Sequence, residues 1–92
     1  MPEHKYRITV EELGQGEPGK APICFEVSEH DDVYVIVDKI KSGNNLEADK
    51  ACAFGVGLKL FAGVVRSMRR ESPFAEIAPH LMDIMKIIKK PA

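Results

Sequence analysis

Residues 46–70 restrict the fold more than any other segment, because they read as one long helix that is apolar on most of its circumference. With side chains stepping by about 100° per residue, Phe54, Leu58, Phe61, Val65 and Met68 form a heavy stripe, and Ala53, Val56, Leu60 and Val64 form a second. A strip of small and basic residues runs beside them: Ala48, Cys52, Gly55, Lys59, Gly63, Arg66 and Arg70. Such a helix must be covered on most sides. The rest of the chain has to supply the covering layers, and Asn45 is the expected N-cap.

One layer comes from the front of the chain. Tyr6, Ile8 and Val10 alternate with Lys5, Arg7, Thr9 and Glu11, and Ile23, Phe25 and Val27 alternate with Cys24, Glu26 and Ser28. Period-two patterning predicts two strands, at about residues 4–13 and 21–29, each with one apolar and one wet face. The run Gly14-Gln15-Gly16-Glu17-Pro18-Gly19 between them suits neither helix nor strand, so the pair closes as an antiparallel hairpin. An isolated hairpin is marginal, so helices are expected to cover its apolar face.

Two more helices follow from spacing. Val33, Ile36, Val37 and Ile40 share one face of a helix at about residues 31–42, with Asp31 and Asp32 at its start and Gly43 as its left-handed end. Ser72 as N-cap and Pro73 as first helical residue open a third, at about 73–89. Its inward positions are Phe74, Ile77, Leu81, Ile84 and Ile88, and Pro79 should kink or restart it. The expected architecture is therefore α+β: a two-stranded antiparallel hairpin followed by three helices, in one domain spanning residues 1–92.

Composition narrows the function classes. The chain has 13 basic and 14 acidic residues, so no net charge recommends a nucleic acid or membrane surface. The charge is unevenly spread: residues 1–50 hold six basic and eleven acidic side chains, and residues 51–92 hold seven and three. The longest apolar run, 51–65, is too short to span a bilayer and contains Lys59. With no signal-peptide pattern at residues 1–10, and with Cys24 and Cys52 read as ordinary thiols, the expected location is the cytoplasm.

Four short motifs carry a resemblance: Lys5-Tyr6-Arg7-Ile8-Thr9-Val10, His30-Asp31-Asp32, Gly57-Leu58-Lys59-Leu60-Phe61 and Pro73-Phe74. Together they resemble a small bacterial family known as a domain of unknown function (thirty-eight sixty-one). The resemblance covers nearly the whole chain and implies a bacterial source and a hairpin-plus-helices fold. It implies no activity, cofactor or catalytic residue.

Three surfaces remain as functional candidates. If Tyr6 faces Val27 and Ile8 faces Phe25, His4 falls opposite Glu29 and Glu3 opposite His30. His4, Glu29, His30 and Asp32 then have the ligand types of a divalent-metal site, although Asp31 and Asp32 also suit a plain helix start. Arg66, Arg69 and Arg70 form a basic group that could contact phosphates, but without interleaved aromatics. The strip Ala48, Cys52, Gly55 and Gly63 would let another backbone approach closely. Catalysis has little support. Pro2 before a strand resembles the tautomerases with an N-terminal proline base, yet the strand-helix-strand order of those enzymes is missing. Cys24 and Cys52 have no sequence neighbour that would activate a nucleophile, and His80 reads as a surface or half-buried histidine. The expectation is a non-enzymatic interaction module without cofactor that forms a homodimer through helix two. The open edges of the hairpin are a further docking surface. A small-ligand or metal-binding protein is the alternative, and nucleic-acid contact a weaker one.

Overall fold

The computed structural model describes residues 3–14 and 21–89. The order is β1 (His4–Val10), β2 (Ile23–Glu29), α1 (Val33–Asn44), α2 (Ala48–Ser67) and α3 (Phe74–Lys89). The α+β architecture is as the patterning predicts. The chain groups into two compact units, Met1–Asp31 and Asp32–Ala92. The glycine-rich turn at 15–20 and the N-terminal Pro2 lie outside the described residues.

The first unit is the hairpin. Its antiparallel register pairs Tyr6 with Val27, Ile8 with Phe25 and His4 with Glu29, the pairing supposed above and one that the alternation permits. Both strands are shorter than their expected bounds, because pairing stops at Val10 and Ile23. Glu12 breaks the alternation there, and Gly14 adopts a positive φ of 76° that ends extended structure. On the wet face Arg7 Nη2 donates to Glu26 Oε2 at 3.2 Å, and Thr9 Oγ1 donates to Cys24 Sγ at 3.6 Å. On the other face Tyr6, Ile8 and Val27 are half-buried, whereas Val10, Ile23 and Phe25, toward the end where Val10 pairs with Ile23, are exposed.

In the second unit, α1 starts where Asp32 Oδ1 accepts from the Tyr34 N–H at 2.9 Å, a side-chain N-cap. Its end differs from expectation. Gly43 stays helical, and Asn45 takes the left-handed position with φ 53° and ψ 47°, its N–H donating to the Lys41 carbonyl. Asn tolerates that conformation because its short polar side chain can bond locally. Having closed α1, Asn45 cannot cap α2. Glu47 does so instead, without a side-chain cap bond. At the other end α2 stops at Ser67, where the Met68 N–H donates to the Val64 carbonyl at 2.9 Å.

The inward face of α2 takes only part of the heavy stripe, Val65 and the half-buried Leu58. Its buried residues are Ala51, Gly55, Lys59, Ala62 and Val65, while Phe54, Phe61 and Met68 are exposed. The cause is the closeness of α1. A Cβ added to Gly55 would lie 2.9 Å from Val37 Cγ2 and 3.4 Å from Val37 Cα, so only glycine fits without a shift. Large aromatics cannot occupy such a seam, and the helix turns its small residues to α1. Further along, Ala62 and Val65 pack with Leu81 of α3, ringed by Leu58, Phe74, Ile77 and Met85. Thus α1 covers the first half of the inward face of α2 and α3 covers the second.

Helix α3 starts one residue later than expected. The Pro73 carbonyl accepts from the Ile77 N–H at 3.0 Å, and the Ser72 hydroxyl donates to Glu76 Oε1 at 2.6 Å rather than capping a backbone N–H. The helix continues through Pro79 without a restart. Proline there removes one backbone bond, to Ala75, in the second turn, and the later turns hold the helix together. Phe74, Ile77 and Leu81 face inward as predicted, but Met85 replaces the exposed Ile84.

Candidate functional site

The acidic turn does not assemble the expected ligand set. His4 stands opposite Glu29, and its ring stacks on Tyr6 with centroids 6.3 Å apart. His30 Nε2 lies 3.7 Å from Glu3 Oε1, the neighbour that the register placed beside it. Glu29 is buried, and Asp32 is spent on capping α1. Among the described residues no three His, Cys, Asp or Glu side chains come close enough to hold a metal ion.

The small-residue strip divides in two. Gly55 is filled by Val37 and Ile40 of α1, so no second chain can use it while α1 is packed. Ala48 and Cys52 are exposed, and Gly63 is half-buried. The exposed apolar surface of α2 lies elsewhere. Phe54, Phe61, Val64 and Met68 are 39%, 46%, 49% and 36% exposed, and they lie on one side of the helix.

The basic group also takes a different form. Arg69 and Arg70 lie in the turn beyond α2, so Arg66 and Arg70 are not neighbours on one helix face. Instead Arg66 and Arg69 join Lys86 and Lys89 of α3 along the walls of a groove of about 430 Å³ between the two helices. Its floor is apolar, formed by Leu58, Ala62, Val65, Leu81 and Met85, with Met82 on the rim and the buried Lys59 at one side. Among the described residues no carboxylate lines it. None of the four wall cations forms an ion pair with a described residue.

Comparison with known proteins agrees with this fold. The pattern of a family described as a domain of unknown function with a solved structure, DUF3861, matches residues 4–90. The chain belongs to the DUF3861 family. A crystal structure of a protein of unknown function from Pectobacterium atrosepticum is similar to it, with 33% sequence identity and a TM-score of 0.79. The likeness covers 97% of this chain and 100% of that one. No curated protein matches.

In this DUF3861 chain the groove is the surface that sequence reasoning missed. Lys86 and Lys89 read as ordinary cations at a helix C-terminus, where the helix dipole favours them. The signal available was their one-turn spacing beside Met82 and Met85, a mixed apolar and cationic flank on α3. Its meaning emerges only when α3 folds back along α2 and places that flank opposite Arg66 and Arg69. No helix among the described residues is long and apolar enough to cross a membrane.

Proposed function

We propose that the chain is a non-enzymatic cytoplasmic interaction module that self-associates through the outer side of α2. The observation supporting this is the exposed row Phe54, Phe61, Val64 and Met68. Phe54, Phe61 and Met68 are spaced by seven, and Gly57 and Val64 fall three places after Phe54 and Phe61. That is the a and d spacing of a helix-pairing seam. A Cβ at Gly57 would meet nothing within 4 Å, so a partner helix has room to approach there. Two copies related by a two-fold axis near Phe61, the middle of the row, would bury the row on both chains. The dimer reading is kept from the sequence, and its site moves from the strip around Gly55 to the opposite side of the helix. The free thiols of Cys24 and Cys52 are consistent with a reducing cytoplasm.

Sedimentation equilibrium at micromolar concentration is the test. The expected result is twice the 10.2 kDa chain mass. Phe61→Glu should return the protein to a monomer with an unchanged circular dichroism spectrum. Cys52→Glu, nine residues away and so half a turn round the helix, should leave it dimeric. A wild-type monomer at these concentrations removes the proposal.

A further inference from the structure

We infer that the groove between α2 and α3 is a docking site for an acidic amphipathic helix of a partner protein. It lies on a different side of α2 from the Phe61 row, and the inference stands whether or not the chain dimerises.

The groove combines two features that select the occupant together. Its floor, centred on Ala62, Val65 and Leu81, is apolar, and its open rim carries Met82, which is 65% exposed. Methionine is unbranched and polarizable, and it adapts to the apolar face of an incoming helix. The walls carry cations on both sides, Arg66 and Arg69 on one and Lys86 and Lys89 on the other, with no lining carboxylate among the described residues to neutralise them. Lys86 and Lys89 are one helical turn apart, about 4.5 Å along the axis. A helix lying in the groove would bring its apolar anchors, at spacings of three and four, onto the floor. Carboxylates one turn apart on both its flanks would then meet both walls. A polyanion such as a nucleic acid complements the walls but leaves the floor uncovered. A fatty-acid carboxylate complements the floor and only one point on the walls. At about 430 Å³ the groove admits several large side chains but not a whole helix, so the partner's polar back stays in water.

The test uses fluorescence anisotropy with a labelled synthetic helix that bears leucine anchors at i, i+3, i+4 and i+7 and glutamates on both flanks. Micromolar binding is expected, weakening as salt is raised. Two altered peptides, one with serine for leucine and one with glutamine for glutamate, should each bind at least tenfold more weakly. Arg69→Glu with Lys89→Glu, both at exposed positions, should weaken binding by a similar factor while the circular dichroism spectrum stays unchanged. Running the same titration on Phe61→Glu separates this site from the dimer seam, and an unchanged affinity is expected. The inference is overturned if the serine peptide binds as well as the leucine peptide, or if single-stranded DNA or decanoate binds more tightly than the leucine peptide. No binding of any acidic helix overturns it equally.

Discussion

Replacing Gly55 by alanine should destabilise the protein, while the same replacement at Gly57 or Gly43 should stabilise it. All three glycines are helical: Gly55 and Gly57, inside α2, gain the preference of alanine over glycine of about 1 kcal/mol, and Gly43, next to the last residue of α1, gains part of it. At Gly57 and Gly43 the new methyl meets nothing within 4 Å. At Gly55 it meets Val37 Cγ2 at 2.9 Å, with Val37 Cα at 3.4 Å and Ile40 Cδ1 at 3.6 Å. Valine is stiff at χ1, so the methyl cannot swing aside cheaply, and α1 has to move off α2. Overpacking of this kind costs about 1–3 kcal/mol. Propensity cancels in the comparison, leaving Gly55→Ala about 1–3 kcal/mol below Gly57→Ala. For a domain of this size each kcal/mol is about 4–8 °C in Tm. Urea denaturation followed by circular dichroism, in the Phe61→Glu background so that dissociation does not enter, measures the difference at constant m. If Gly55→Ala proves as stable as the other two variants, the close packing of α1 on α2 is refuted.

Four further outcomes are expected. Asp32→Ala removes the cap of α1 and should lower unfolding free energy by about 1 kcal/mol in the same denaturation assay. Pro79→Ala restores a backbone donor inside α3 and should raise Tm, its stabilisation being about 1–3 kcal/mol, and an unchanged or lower Tm contradicts the cost assigned to proline there. Leu81→Ala opens a cavity beside Ala62 and Val65 and should cost about 2–5 kcal/mol, read as a lowered urea midpoint. Zinc or nickel added to chelator-treated protein should leave Tm unchanged, because His4, Glu29, His30 and Asp32 form no ligand cluster, and a rise of several degrees would contradict that geometry.

The hairpin was legible from period-two alternation, which puts Tyr6, Ile8, Phe25 and Val27 on one face and rules out slips by one residue, while slips by two keep the same face and the supposed pairing is the one that forms. Helix existence was legible from apolar spacing, and helix ends were not. Asn45 and Gly43 both suit a left-handed terminus, and only the backbone bond to Lys41 decides between them. The inward side of α2 was not legible because a helix apolar on most sides has no single amphipathic face. Size then decides, and the narrow seam with α1 takes Gly55 and Ala51 and leaves Phe54 and Phe61 outside. The groove could not be read along the chain, because its walls come from two helices that meet only after the turn beyond Ser67 brings α3 back.

A sheet of two strands is all edge, since among the described residues no third strand pairs with either β1 or β2. Open ladders template stacking between molecules, so the placement of charge along them governs colloidal behaviour as well as stability. Lys5 and Arg7 interrupt β1, Glu11 and Glu12 follow it directly, and Glu26 divides β2 behind Pro22, which has no N–H to offer a neighbour. No uncharged, proline-free window of six residues survives in either strand, so each carries its own gatekeepers against amyloid-like assembly. The exposed Arg7–Glu26 pair adds little to folding free energy. Its larger contribution is to keep a hairpin that opens transiently from recruiting another.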